Sequence, residues 1–201
     1  MTEGRAVEFF FDVGSPYSYL AGARMPGLAR STGATVHWRP FLLGAVFKAT
    51  GNEMPARVQA KARWMLEDLL RWGVQLSVPF RFPSRFPLNT LRAQRALTAV
   101  ARAQPNLLPA AAMALFSAYW VEDRDVSDDA VIDAALRSCD IDGARMLADA
   151  AMPEVKDLLR QWTDEAVNRG AFGAPTFFLG DAMYWGHDRI DMLESHLRAS
   201  P

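Results

Sequence analysis

Two short stretches of this 201-residue chain carry residue types that could do chemistry. The first is Ser15-Pro16-Tyr17-Ser18, directly after the apolar run 6–12. A serine followed by proline is a helix start, with an N-cap residue and then proline at the first helical position. A helix start presents free backbone N–H groups and the positive end of the helix dipole, and it stabilises an anion, including a thiolate. The Ser15 hydroxyl either caps that helix or hydrogen-bonds an incoming anion, and local chemistry leaves both uses open. The second stretch is 173–180, GAPTFFLG. A proline that opens a strand after a glycine-containing loop is a turn proline, in some cases cis. A cis bond at Ala174-Pro175 would turn the Ala174 backbone outward, where it could pair with an extended peptide.

These stretches need elements to position them. The run 6–12 (AVEFFFD) reads as a strand buried on both faces. A helix follows from Pro16, kinked or broken at Pro26 and ended by Gly33. Residues 34–41 alternate as a second strand, which completes a βαβ unit. The middle is helical. Helices are expected over 56–73 with Gly73 closing, over 88–103, over 110–121, from an N-cap at Ser127 to 139, and over 153–170. The stripes holding Trp64, Trp72 and Trp162 read as core. Two strands, 175–180 and 182–186, join at Gly180-Asp181 as a hairpin, and a last helix, 188–199, starts with Asp188. No repeat or linker separates these blocks, so the helices read as an insertion packed on one α/β core.

Composition narrows the chemistry. With 22 basic and 23 acidic residues the net charge is −1, which gives no electrostatic case for nucleic acid or an anionic membrane. No apolar run approaches a membrane span, and MTEGRAVE holds no apolar signal core, which points to a cytoplasmic protein. One cysteine, Cys139, excludes an intramolecular disulfide and a two-cysteine redox cycle. It reads as a small buried hydrophobe or a bystander near a helix end. The three histidines show no metal-ligand spacing.

The order β-α-β, helical block, β-β-α, with a proline before the third strand, resembles a thioredoxin-like fold with the large all-helical insertion of DsbA. In that family the first helix opens with Cys-Pro-x-Cys; here both cysteines are serine. The segments 9–22 (FFFDVGSPYSYLAG), 38–52 (WRPFLLGAVFKATGN), 80–89 (FRFPSRFPLN) and 172–193 (FGAPTFFLGDAMYWGHDRIDML) resemble the 2-hydroxychromene-2-carboxylate isomerases. That group is related to the kappa-class glutathione transferases. The resemblance implies one DsbA-like domain over 1–201, with a thioredoxin-like core at approximately 1–45 and 171–201 and a helical insertion at approximately 46–170.

It also implies roles. Ser15 matches the residue that hydrogen-bonds the glutathione sulfur. Ala174, before Pro175, matches the backbone site for the cysteinyl part. Trp185, Gly186, His187 and Asp188 match the loop for the γ-glutamyl end, where Asp188 would accept the ammonium, cap the helix, or both. Lys48, Arg57 and Phe86 fall near positions that contact the aromatic substrate. Lys48, Arg57 and Arg85 are the basic candidates for its carboxylate. Asn52 either orients a substrate oxygen or occupies a turn. The implied reaction converts 2-hydroxychromene-2-carboxylate to trans-o-hydroxybenzylidenepyruvate, a step of naphthalene-type degradation, with glutathione as a recycled nucleophile. A homodimer is the implied assembly. The rival readings are a kappa-like transferase or peroxidase for other electrophiles and a redox-inactive thioredoxin-like binding module.

Overall fold

A computed structural model describes residues 6–199; residues 1–5, which open the stretch expected to hold no signal core, lie outside that range. Strand β1 (Ala6–Phe11) leads through a turn into helix α1 (Pro16–Thr32), and strand β2 (Thr35–Pro40) returns parallel to β1. Then follow α2 (Leu43–Thr50), a 3-10 turn at Pro55–Arg57, α3 (Gln59–Leu76), α4 (Leu91–Ala103) and α5 (Leu108–Trp120). Next come α6 (Asp129–Arg137), α7 (Gly143–Asp149) and α8 (Pro153–Asn168). Strands β3 (Thr176–Leu179) and β4 (Ala182–Trp185) form the hairpin, and a 3-10 turn at His187–Arg189 enters α9 (Ile190–Ala199). The sheet order is β2-β1-β3-β4, with β3 antiparallel to both neighbours. This is the DsbA-like thioredoxin fold.

The apolar run of β1 is buried on both faces, as its lack of alternation requires. Val7, Phe9 and Phe11 face one way, onto Trp38 and the helices α1, α4 and α5. Phe10 faces the other way, onto Phe41, Phe178 and Trp162 of α8. The rings of Phe9 and Phe177, opposite each other across β1 and β3, stack at 5.1 Å. With both faces covered, the C-terminal end of β1 is a fixed platform for the turn that carries Ser15.

Several boundaries differ from expectation, each for a physical reason. Helix α1 runs through Pro26 without a break. Pro26 is exposed, while Leu20, Met25 and Leu28 on either side of it are buried, and that packing outweighs one lost backbone bond. Gly73 lies inside α3 and does not end it. The helix stops at Ser77, whose left-handed backbone (φ 54°) donates its N–H back to the Gly73 and Val74 carbonyls. A side chain at 73 would meet the Val78 carbonyl at 3.1 Å, so the glycine is there to let the chain fold back. Asp128, not Ser127, caps α6, with its carboxylate accepting from the Ala130 N–H at 2.9 Å; Ser127 donates to Asp125 instead. The helices expected at 56, 88 and 110 begin at 59, 91 and 108.

Trp162 is core as expected, whereas Trp64 is 58% exposed and shares the surface of α3 with Leu66, Leu70 and Val74. Trp72 is half-buried, its edge against the His187 ring. The free Cys139 is half-buried against the main core.

Candidate active site

The β1–α1 turn is built around Asp12 and Ser15. The Ser15 N–H donates to the Asp12 carbonyl at 2.9 Å, and Pro16 occupies the first helical position. Ser15 is buried, and its Oγ accepts from the Ser18 N–H at 3.1 Å, which is the capping bond. The same Oγ donates to the Ala174 carbonyl at 3.2 Å. The Ala174-Pro175 bond is cis, as is Phe86-Pro87. Both uses of Ser15 considered from the sequence therefore coexist in one geometry. The lone pair caps α1, and the single hydroxyl hydrogen points at the segment before Pro175. A hydroxyl has one donor and two acceptor sites, so turning that hydrogen toward an incoming anion costs only the Ala174 bond.

The 185–188 loop closes the other side. Gly186 has φ 103°, a left-handed backbone that favours glycine, and the space where its side chain would go is filled by the Asp188 carboxylate. Gly173 is required in the same way, since a Cβ there would lie 2.5 Å from the Trp185 indole nitrogen. Trp185 is 46% exposed and packs on Phe172 at 4.7 Å.

The His187 ring is turned inward, stacked on Tyr17 at 5.3 Å and meeting the edge of Trp72 at 4.5 Å. Burial, aided by the Arg24 guanidinium and opposed by Asp188, Asp68 and Asp191, pushes its pKa down to about 4. Its carbonyl accepts from Arg24 at 2.9 Å. At residue 187 the site thus holds a neutral, packed ring, and a ligand contact from that side chain is not what the geometry offers. Asp188 is exposed and paired with Arg189 at 3.5 Å, and among the described residues its side chain caps no helix. Its exposed carboxylate keeps acceptor capacity beyond that pair.

Beside this lies a cleft of about 460 Å³ lined by Phe47, Lys48, Asn52, Met54 and Arg57, among others. The structure brings three of the expected substrate residues together here, although they stand far apart in type. Lys48 is exposed and makes no ion pair among the described residues; Arg57 is paired with Glu53 at 3.3 Å, both exposed. Asn52 follows the turn after α2. Its amide nitrogen donates to the Phe172 carbonyl at 2.8 Å and its oxygen accepts from the Glu53 N–H at 2.8 Å. Asn52 therefore ties the cleft to the loop before Pro175, and its hydrogen-bonding capacity is largely used. A second, adjoining cavity of about 300 Å³ shares Gly44 with the first and is lined by Asp12, Leu42, Leu88, Asn89, Thr90 and Leu91.

Arg85 and Phe86 line neither cavity, contrary to expectation. Arg85 points at Asp125, 3.7 Å away, and Phe86 packs against Phe82 and Trp120 at 5.0 and 5.9 Å. An acid across the surface claims the guanidinium, and the aromatic cluster claims the ring.

The sequence reading missed two partnerships. Tyr17 donates to Asp68 of α3 at 3.0 Å, and burial together with that carboxylate raises the phenol pKa. Asp12 is buried and accepts from the Gly14 N–H at 2.9 Å, the Leu43 N–H at 2.9 Å and the Thr90 hydroxyl at 2.7 Å. Its pKa is raised by burial, which outweighs those hydrogen bonds. A lone acid ending an apolar strand was a visible signal for Asp12. Nothing local links Tyr17 to Asp68, fifty-one positions away.

Residues 6–198 match the DSBA-like thioredoxin domain family. The chain belongs to that family. It is 33% identical to a 2-hydroxychromene-2-carboxylate isomerase of Sphingobium xenophagum, over 96% of this chain and 98% of the relative. It is 32% identical to human glutathione S-transferase kappa 1, over 96% and 90%. A solved 2-hydroxychromene-2-carboxylate isomerase structure superposes with a TM-score of 0.85 at 29% identity, covering 96% of this chain and 94% of that one. The DsbA-like frame thus comes with SPYS in place of two cysteines, in company with isomerases and kappa-class transferases.

Proposed function

We propose that the protein is a glutathione-dependent isomerase that converts 2-hydroxychromene-2-carboxylate to trans-o-hydroxybenzylidenepyruvate. The observation that carries this reading is the placement of Ser15. A hydroxyl at the start of a 17-residue helix faces the backbone of Ala174, where the family's redox cysteines are absent.

The residues present fit glutathione. The start of α1 suits a thiolate, the half-buried Ala174 suits a peptide backbone, and the exposed carboxylate of Asp188 suits an ammonium. Bound there, glutathione supplies a thiol whose reversible addition to a conjugated carbon removes the double bond that blocks rotation. Ser15 donates its hydroxyl hydrogen toward the sulfur and so favours the thiolate. Lys48 and Arg57 hold the substrate carboxylate by charge-assisted hydrogen bonds, and Phe47 and Met54 pack on its aromatic ring. Asn52 keeps the cleft in place against the Pro175 loop. Cytoplasmic residence, where glutathione is kept reduced, belongs to the same proposal. So does a homodimer, to which the exposed apolar row Leu66, Leu70 and Val74 of α3 gives a surface.

The near-equal similarity to a kappa-class transferase supports a second reading, conjugation of glutathione to other electrophiles. Calorimetric titration with glutathione followed by product analysis on the chromene carboxylate separates them. Binding, a trans product and full recovery of glutathione are expected. A glutathione conjugate would favour the transferase. No binding would favour a redox-inactive binding module and end the proposal.

A further inference from the structure

Asp12 sits where three helices begin, yet no role considered so far uses its side chain. Helix α2 has Leu42 at its cap position with no side-chain capping bond, and α4 has Thr90 there, likewise without one. The Asp12 carboxylate caps α2 and anchors the Thr90 side chain at the head of α4, where the Asn89 side chain accepts the Leu91 N–H at 3.0 Å. One oxygen accepts the Leu43 N–H at the head of α2. The other accepts the Thr90 hydroxyl at the head of α4 and the Gly14 N–H just ahead of α1. Its backbone carbonyl accepts the Ser15 N–H at 2.9 Å. Around it, Gln94 donates to the Phe11 and Phe41 carbonyls at 2.9 and 2.8 Å, and Trp120 donates to the Val13 carbonyl at 2.8 Å. No cation pairs with Asp12 among the described residues. Burying an acid without a counter-charge is costly, and the three donors it accepts, among them the Leu43 N–H at the positive end of α2, offset that cost.

We propose that Asp12 is a positioning residue that locks the turn carrying Ser15 to the heads of α2 and α4, the helices whose first turns wall the adjoining cavities. Helix α2 carries Phe47 and Lys48, so the same carboxylate holds the thiol end and the carboxylate end of the site in register. What those ends bind rests on the function proposed above; the clamp itself does not. Each ligand still finds its own contacts when the clamp is loosened, and the loss falls on the geometry between them, hence on turnover rather than on affinity.

The test uses Asp12→Asn, which keeps the shape but puts an amide donor against one of the donors it must accept. It also uses Thr90→Val and Thr90→Ser, which remove and keep one hydroxyl. In Asp12→Asn without ligand, amide hydrogen exchange at Gly14 and Leu43 is expected to speed up about tenfold or more. The kcat on the chromene carboxylate is expected to fall about tenfold, while the Kd of S-methylglutathione moves less than about twofold. Thr90→Val shows the same pattern more weakly, and Thr90→Ser restores it; this pair decides the matter if Asp12→Asn does not fold. A lowered melting temperature with unchanged kcat would mean a merely structural role and overturn the proposal. So would undisturbed exchange at Gly14 and Leu43. A wild-type protein that neither binds S-methylglutathione nor turns over substrate defeats the functional reading, and the exchange measurement then decides the clamp by itself.

Discussion

The two ends of the site are built on opposite plans. At the Ser15 end the central groups Asp12, Ser15 and His187 are buried, and Asp12 and Ser15 are fully engaged in hydrogen bonds. The hydroxyl caps α1 and holds Ala174, His187 is packed between rings, and glycines at 173 and 186 leave room for Trp185 and Asp188. At the Lys48 end the functional groups are exposed, on a short helix and a 3-10 turn, and Arg57 is tied only to a neighbouring surface acid. A buried end suits one ligand held in one geometry, as the proposed binding of glutathione requires. An open end of flexible cations tolerates variation in the molecule it receives. Under the function proposed above, the thiol chemistry belongs to the buried half, and the choice of substrate belongs to the exposed half, where a substitution disturbs little packing.

The contrast is sharpest in substitutions. Ser15→Ala is expected to have the largest effect, lowering turnover roughly 100-fold near neutral pH, with the gap narrowing at high pH where the thiol ionises unaided. The accompanying loss of the cap costs about 1 kcal/mol of stability, measurable by denaturant titration. Lys48→Ala is expected to lower kcat/KM for the carboxylate substrate about tenfold, the low end for a charged hydrogen bond because Lys48 is exposed. Its glutathione affinity by calorimetry should match wild type; equal losses for both ligands would erase the division between the two ends.

The buried end also predicts a pH dependence of stability. Folded His187 resists protonation down to about pH 4, whereas its ordinary value is 6.5. Its contribution is therefore complete above pH 6.5 and is lost as pH falls from there toward 4, a decline of roughly 1–3 kcal/mol. His187→Gln should flatten that part of the curve. The groups facing the ring, Tyr17, Trp72, Arg24, Asp68, Asp188 and Asp191, remain in that variant. Arg85→Ala is expected to change kcat/KM less than about twofold, because its partner is Asp125 and not the cleft. A large loss there would move the boundary of the open end.

The same contrast governs what the sequence disclosed. Whereas the 185–188 loop entered only through the family resemblance, the Ser15 turn was legible because its signals are local, Ser-Pro at a helix start and proline entering a strand. The doubly buried β1 and the hairpin at Gly180-Asp181 were legible for the same reason. The open end was not, because it is assembled from short elements without periodicity, α2 and the turn at Pro55–Arg57, joined through Asn52 to a carbonyl 120 positions away. The ion pair of Arg85 was not legible, because charge alone does not reveal an acid forty positions on. Gly73 misled because a glycine that ends a helix and one that admits a crossing chain look alike in sequence.

The central claim is that the buried end converts a bound thiol into a thiolate. The most direct measurement is the ultraviolet thiolate absorbance of bound glutathione as a function of pH, in wild type and in Ser15→Ala. A bound thiol titrating one to two units below the free value of ~8.5 in wild type, and returning toward it in the variant, is the expected result. Identical titration curves for the two proteins would contradict it and leave Ser15 as a helix cap alone.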